Sequence, residues 1–525
     1  MRSTFFGIEL SKRSLFAQQT SLQTTSHNIA NANTRGYTRQ VANLTASAPL
    51  EPYGWSRSTF AGQIGQGVEV DQIYRIREKF LDDQFRNEYK NLGYWSVRQD
   101  TLEKLEAIIN EPSDTGLRQV LDNFWNAWQE LSKSPENLTA RAVVKESALA
   151  LTDAFNHTAR QLNDLTNDLT ANIETKANEI NSLLDQIANL NREIYRIEGL
   201  GDNANDLRDK RDVLVDDLSK IVNITVTEGD QGYIINMGNI QLVNGNTVTP
   251  VTAATLTSAY QSGSLNSGEV YGMIVSRDVL VANYRNQLNT MVKAFVEGDI
   301  RVTLPKGTVI PEGTEINGVL YTGTVAARTL ADDLTITVKG INGLHQFGYT
   351  LTDPPQKAEP LFTLKPGMTE FTAESITLNP NIANNVQKIA ASMRTYVDAD
   401  GKEHLVSGNN DLALLIAGMK NMKVNFDPAG TGSSVLNNGT IDDFFKAIVG
   451  QIGIQAQEAQ RQAENQSLLV YQVDSRRQSV SGVSLDEEMA NMIKFQHAYN
   501  AAARALTTFD QLLDKLINGT GVVGR

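Results

Sequence analysis

The chain has 525 residues, enough for about three or four domains with real cores. A formal net charge of -13, with no block of Lys and Arg, excludes broad binding to a nucleic-acid backbone. No cysteine is present, which excludes disulfides, thiolate metal sites and cysteine nucleophiles, and no run of about 18 apolar residues is available to span a membrane.

The chain opens on an amphipathic helix in which Ile8, Leu15, Leu22 and Ile29 recur every seven residues. The second seam position is polar, at Lys12, Gln19 and Ser26, so the stripe is narrow and wet. Phe5, Phe6, Ile8 and Leu10 are followed at once by Ser11, Lys12, Arg13 and Ser14, which breaks any apolar core of a cleaved secretory signal. Work outside the cell would then require export without signal cleavage. From Asn28 to Arg39 asparagines and Gly36 supply the left-handed backbone that ends a helix. Residues 40–70, with Pro49, Pro52, Gly62, Gly65 and Gly67, read as loop and short strands.

Helical signal resumes near Asp71 and runs to about Ile109, with Glu111 and Pro112 as a stop and Ser113 and Asp114 as the next cap. A helix over 114–132 carries Leu117, Val120, Leu121, Phe124, Trp125, Trp128 and Leu131 on one side. A longer one covers about 137–198, where Ile173, Ala177, Ile180, Leu184, Ile187 and Ile194 keep heptad register and only Asn191 breaks it. After a break at 199–205, residues 206–220 form a short helix of alternating charge. The period then switches to two, predicting a small β-domain from 221 to about 266 with Asn244 and Gly245 as a hairpin turn.

Helix returns from Gly268 to Phe295, and residues 299–378 form a second β region with strand candidates at Val309, Val319, Leu334–Val338 and Phe362–Leu364. Helix is expected over the remainder. At the C-terminus Met492, Phe495, Tyr499, Ala502, Leu506, Phe509, Leu513 and Leu516 follow alternating spacings of three and four, which puts them on one stripe, widened by Met489, Ile493, Ala503 and Ile517. The expected fold class is α+β and multidomain: a discontinuous helical bundle with paired N- and C-terminal coiled-coil helices and two inserted β-domains. Its expected parts are a terminal coiled coil (1–65 and 484–525), a helical bundle (66–220, 268–298 and 379–483) and β-domains at 221–267 and 299–378. Two matching ends suggest termini built to assemble, and equally an antiparallel hairpin of the chain's own ends.

Signals for enzyme chemistry are absent from the sequence. The five histidines, His27, His157, His345, His404 and His497, lie far apart, and no zinc-protease, nucleophile-elbow or phosphate-loop motif occurs. The glycines at 62, 65 and 67 read as a tight turn. Asp398, Asp400 and Gly401 resemble the start of a calcium loop but lack a third ligand before the glycine, which favours a β-turn. Trp125 and Trp128 read as core rather than a carbohydrate platform. No catalytic residue, cofactor or metal site is predicted.

The stretch from Thr25 to Tyr37, with Asn28, Asn31, Asn33, Gly36 and Tyr37, resembles the N-terminal motif of bacterial flagellar axial proteins. The segments 207–218 and 481–499, the latter with Leu485, Glu487, Glu488 and Met489, are similar to the hook-associated protein 1 family, the hook-filament junction proteins. The similarity covers roughly 1–45, 200–220, 268–298 and 375–518 and is not recognisable over 299–370. Arg35 stands where the family usually has proline. The resemblance implies an extracellular, non-enzymatic subunit whose terminal helices pair in an inner tube and whose β-domains point outward. It further implies self-assembly, contacts with the hook protein and a second junction protein (hook-associated protein 3), and type III export with a chaperone at the C-terminal region; no nucleic acid or membrane is implied. A hook or rod protein shares only the asparagine-rich motif, an adhesin would use the outer β-domains, and a cytosolic scaffold would stay inside the cell.

Overall fold

A computed structural model describes residues 5–49, 65–109, 116–428, 430, 432 and 434–519. The predicted stop at Glu111 and Pro112, the cap at Ser113 and Asp114, and Pro52 and Gly62 lie outside the described residues. Among the described residues eight helices of at least 16 residues dominate: α1 (Phe6–Ala30), α2 (Lys79–Ile109), α3 (Leu117–Lys133), α4 (Leu138–Glu198), α5 (Asn205–Ile221), α6 (Ala282–Glu297), α7 (Ile441–Ser481) and α8 (Leu485–Gly519). The fold is helical, with small sheets and long terminal helices. It divides into two compact units, residues 1–95, 173–272 and 463–525, and residues 96–172 and 273–462; α2, α4 and α7 contribute to both.

In the first unit β1 (Gln40–Ala46) and β2 (Val68–Arg75) form an antiparallel pair with Gln40 opposite Arg75 and a bulge at Asn43 and Leu44. Residues 71–75 are thus strand and not the start of a helix: the alternation from Val68 onward pairs with β1, and the ladder satisfies a backbone that a solitary first turn would leave open. A four-stranded antiparallel sheet follows, β3 (Thr225–Gly229), β4 (Gly232–Met237), β5 (Ile240–Asn244) and β6 (Thr247–Val248), in that order. Asn244 and Gly245 make its last turn, with Gly245 at φ +58. Ala253–Gln261, expected as β-region, is a helix. Thr252 and Thr255 close it with a reciprocal capping box that a hydrophobic-period search does not register.

The heptad residues Ile173, Ala177, Ile180, Leu184, Ile187 and Ile194 are all buried. Asn191, the polar break among them, is fully buried as well. Its amide donates to Tyr233 O at 3.2 Å and Gly245 O at 2.7 Å, and its oxygen accepts from Tyr233 N at 3.1 Å. The side chain therefore docks the sheet on the helix, and apolar replacement would orphan backbone groups.

In the second unit Phe124, Trp125, Trp128, Phe295 and Phe362 build an aromatic core, with Phe124 and Phe295 edge to face at 5.9 Å between centroids. Residues 276–281 are a π-helical turn ahead of α6. Strands Asp299–Leu304 and Leu334–Lys339 pair antiparallel, as do Phe362–Leu364 and Ile376–Leu378. Residues 385–440 correct the expectation of helix to the end: short pairs form at Thr395–Val397 with Glu403–Leu405 and at Val424–Asn425 with Asn438–Gly439, and Asp411–Gly418 is the longest helix there. Frequent Gly and Asn in this stretch favour turns over a long helix. Asp398 Oδ1 accepts from the backbone of Asp400 at 2.9 Å and Lys402 at 2.8 Å, which closes a turn.

Candidate functional site

The chain's two ends pair in the first unit as antiparallel helices. At one end of the pair Gly7 lies against the Phe509 ring, where an added Cβ would meet ring carbons at 2.6 Å; at the other Asn28 reaches Glu488. Only a residue without a side chain fits Gly7 while Phe509 holds its position. The other flank of α1 meets the β1–β2 pair, where Leu10 approaches Gly67.

The buried face of α1 differs in character from its apolar stripe. Ser11, Ala17, Ser21, Thr24, Thr25 and Asn28 are buried, whereas Ile8, Leu15, Leu22 and Ile29 are half-buried and Lys12, Gln19 and Ser26 are exposed. Small side chains let neighbours approach closely. Their hydroxyls bond back into the helix, Ser11 to Gly7 O at 2.9 Å and Ser21 to Ala17 O at 3.0 Å, so these two hydroxyls stay satisfied on burial. On α8, Ala502 is buried and Met492, Phe495, Tyr499, Leu506, Phe509 and Leu513 are half-buried, while Leu516 is 55% exposed. Met489, Ile493 and Ile517, which widen the stripe, are also exposed.

The asparagine-rich segment fastens this pair to the rest of the unit. Asn28 Nδ2 donates to Gln40 O at 2.8 Å and Glu488 Oε2 at 3.0 Å, and Asn28 Oδ1 accepts from Gln40 N at 3.0 Å and the Tyr37 hydroxyl at 2.8 Å. Every polar position of one buried amide is used. Burial, reinforced by Asp206, Asp209 and Glu488, raises the Tyr37 pKa and keeps its hydroxyl a donor. Arg39 donates to Glu488 Oε1 at 2.8 Å and Glu487 Oε2 at 2.8 Å, and its backbone N–H reaches Ser481 O at 2.8 Å. Gly36, at φ +77, rests on Val213 of α5, and Arg35 pairs with Asp217. A fixed proline dihedral at 35 is thus not needed to seat the turn. Asn31 bonds locally to His27, and Asn33 is exposed.

Beneath the segment lies a buried network of four arginines and four aspartates. Arg75 reaches Asp209 at 2.6 Å and Asp212 at 3.0 Å; Arg77 reaches Asp82 at 2.7 Å; Arg86 reaches Asp216 at 2.8 Å; and Arg477 of α7 reaches Asp216 at 2.6 Å. Burial opposes the charge of Asp212, but Arg77, Arg75 and Arg86 overcome it and hold the carboxyl down at about 2. Burial raises the Asp209 pKa against the pull of Arg75. The Arg77 and Arg86 guanidiniums are held charged against burial by Asp212, Asp82 and Asp216. Such a network is weak evidence of net stability, but removing one partner leaves an uncompensated buried charge. Its α5 members, Asp209, Asp212 and Asp216, appear in the sequence as alternating charge within the 207–218 segment that resembles the family. Glu488 stands in the 481–499 segment that resembles the family, though nothing local marks it as a partner of Asn28, and Arg75, Arg77, Arg86 and Arg477 carry no sequence signal beyond being charges near apolar residues.

Three family models match the chain. Residues 102–298 match the Flagellar hook-associated protein FlgK helical domain, residues 475–519 the Flagellar basal body rod FlgEFG protein C-terminal, and residues 12–38 the Flagella basal body rod protein. Flagellar hook-associated protein 1 of Bacillus subtilis (strain 168) is 34% identical over 541 residues, covering 100% of both chains. The chain belongs to the flagellar hook-associated protein 1 family. Flagellar hook-associated protein 1 of Salmonella typhimurium is 28% identical, and that of Escherichia coli (strain K12) 27%, each match covering 96% of this chain and 98% of the relative. Among solved structures, the flagellar hook junction protein FlgK from Burkholderia pseudomallei is similar at a TM-score of 0.47 and 13% identity, over 77% of this chain and 100% of that one.

Hook-associated protein 1 is a structural component of the bacterial flagellum and not an enzyme. The model at residues 12–38 takes in most of α1 and the asparagine-rich segment, and the model at 475–519 takes in Arg477, Glu488 and all of α8. Among the described residues no group of acidic and His side chains is arranged to hold a metal ion, and no helix is long and apolar enough to cross a membrane.

Proposed function

We propose that this member of the hook-associated protein 1 family is the subunit that joins hook to filament, and that it assembles through α1 and α8. The observation that carries the proposal is the coincidence of the paired, clasped termini with the two segments matching rod-protein families, in a chain aligned along its whole length with hook-associated protein 1. The assembly surface comprises Ile8, Leu15, Leu22 and Ile29 of α1 and Met492, Phe495, Tyr499, Ala502, Leu506, Phe509, Leu513 and Leu516 of α8. Half-burial of most of these leaves apolar surface for neighbouring copies. Its partners are further copies of itself, the hook protein, hook-associated protein 3 and an export chaperone at the C-terminal region. It acts outside the cell, exported without signal cleavage. Residues 221–267 and 299–378 serve as outward β-domains on a helical bundle.

Immunogold labelling of flagella from cells expressing a tagged full-length chain tests the role. A single zone of label between hook and filament is expected, with bare hooks when the gene is deleted. Label along the hook or rod would overturn it.

A further inference from the structure

The two ends of the α1–α8 pair are unlike, and their differences are complementary. With Gly7 opposite Phe509, the last two turns of α8 pass the described start of α1. Leu512, Leu513, Leu516 and Ile517 there span an arc of roughly 140° at 3.6 residues per turn. That is wider than one partner helix needs. Leu512 is 59% exposed and Ile517 62%. The last turn of the described helix carries no basic residue.

At the opposite end of the pair, beside the asparagine-rich segment, lies a cleft of about 690 Å³ whose lining includes Thr34, Arg35, Leu190, Lys210, Val213 and Leu214. Leu190, Val213 and Leu214 are half-buried. Lys210 is exposed and has no ion-pair partner among the described residues, and Arg35 is exposed beside it on the rim. Asp206, also lining the cleft, is an exposed acid already engaged by Gln40 at 2.7 Å. A helix end presenting Leu512 and Ile517, with Asp514 and Lys515 adjacent, matches an apolar floor rimmed by one free base and one acid.

We infer that the exposed tip of α8 of one copy docks in the cleft between the asparagine-rich segment, α4 and α5 of the next copy. The contact joins two different patches, so it is head-to-tail and builds a ring or a helical array instead of closing a dimer. It assigns the asparagine-rich segment a second task, as one wall of a socket. The inference rests on the junction role proposed above and names the partner surface of the same terminal pair.

The absence of native cysteine makes a cross-linking test clean. Cells lacking the native gene would co-express two differently tagged full-length versions, one with Leu512→Cys or Ile517→Cys, the other with Leu190→Cys or Leu214→Cys. Sheared flagella would be treated with a short bismaleimide. Expected are covalent dimers carrying both tags, and a ladder of multimers when one chain carries a thiol at each site. If both versions are present in motile flagella but no mixed dimer or only in-chain cross-linking appears, the docking is overturned and the junction role stands. Absence of both versions from the flagella of cells whose hooks and filaments are joined overturns the role and the docking together.

Discussion

The Asn28 amide donates to the Glu488 carboxylate at 3.0 Å across 460 positions of sequence. One residue closes the last turns of α1, the other opens α8, and both are buried. Replacing Asn28 by Leu would strand Gln40 N–H and C=O, the Tyr37 hydroxyl and one Glu488 oxygen. A loss of about 2 to 4 kcal/mol is expected, since each buried group left unsatisfied costs on the order of 1 to 3 kcal/mol and some regain water. Urea unfolding of the purified chain would measure it; an unchanged midpoint would show that the clasp contributes nothing.

Gly7 and Phe509 offer a test by paired substitution. Gly7→Val places a branched side chain where ring carbons already stand at 2.6 Å and should separate that end of the helix pair. Phe509→Ala opens the space. Gly7→Val should abolish motility, and the double variant should recover part of it; equal defects in the single and double variants would argue against this packing.

Phe509→Asp with Leu513→Asp places two charges on the α8 stripe. Both residues are far from the aromatic core around Trp128 in sequence, and that core belongs to the other unit. Tryptophan fluorescence and thermal unfolding of residues in that core should stay unchanged while motility is lost. Normal filaments on such cells would remove the stripe from the assembly surface.

Asp212 ties acid stability to the buried network. Its folded pKa, about 2, lies below the ordinary value of 3.8, so its contribution is fully present above pH 3.8 and is lost as pH falls from there towards 2. The difference corresponds to about 2 kcal/mol at 1.36 kcal/mol per unit. The raised pKa of Asp209 works the other way and offsets part of this at low pH. Asp212→Asn should cost about 3 to 5 kcal/mol at neutral pH by leaving Arg75, Arg77 and Arg86 short of a buried partner. Denaturation curves of both proteins from pH 7 to pH 2.5 should converge towards the acid end.

His345 sets a second pH dependence, in the other unit. Its Nδ1 donates to Glu359 O at 2.6 Å and its Nε2 accepts from Ala390 N at 2.9 Å, which fixes a neutral ring. Burial lowers its pKa from 6.5 to about 4. The unfolded chain therefore takes up a proton first, and folded stability falls as pH drops from 6.5 to 4, by about 3 kcal/mol at 1.36 kcal/mol per unit. His345→Gln should remove that slope, read by the fluorescence of neighbouring Trp128. A slope retained in the variant would place the titration elsewhere.

How much of this was legible in the sequence follows from the range of each signal. Long stripes such as Ile173 to Ile194 gave their helix correctly, because eighteen or more residues of one period leave little alternative. The terminal helices were equally clear. Their pairing was less so, because α1 buries Ser21 and Thr24 where an apolar count points to Leu15 and Leu22. Short elements between turns, as at 385–440, depend on partners remote in sequence and carry too few residues to show a period. Asn28, Asn181, Asn191 and Asn342 share one device, a side-chain amide paired to both the N–H and the C=O of one distant residue: Gln40, Val251, Tyr233 and Phe362. Of the four, only Asn28 stands within the asparagine-rich segment that resembles the axial-protein motif. Nothing local distinguishes such an asparagine from a turn former.

The first unit is assembled from residues 1–95, 173–272 and 463–525, and Arg477 and Glu488 complete its charge pairing. A chain delivered from either end therefore cannot close this unit until the opposite end arrives. Three of its buried aspartates wait on α5 for arginines supplied by β2, α2 and α7. Contacts spanning hundreds of residues make closure a late, slow event in folding. The unit's maturation is thus timed by the arrival of its last helix, α8.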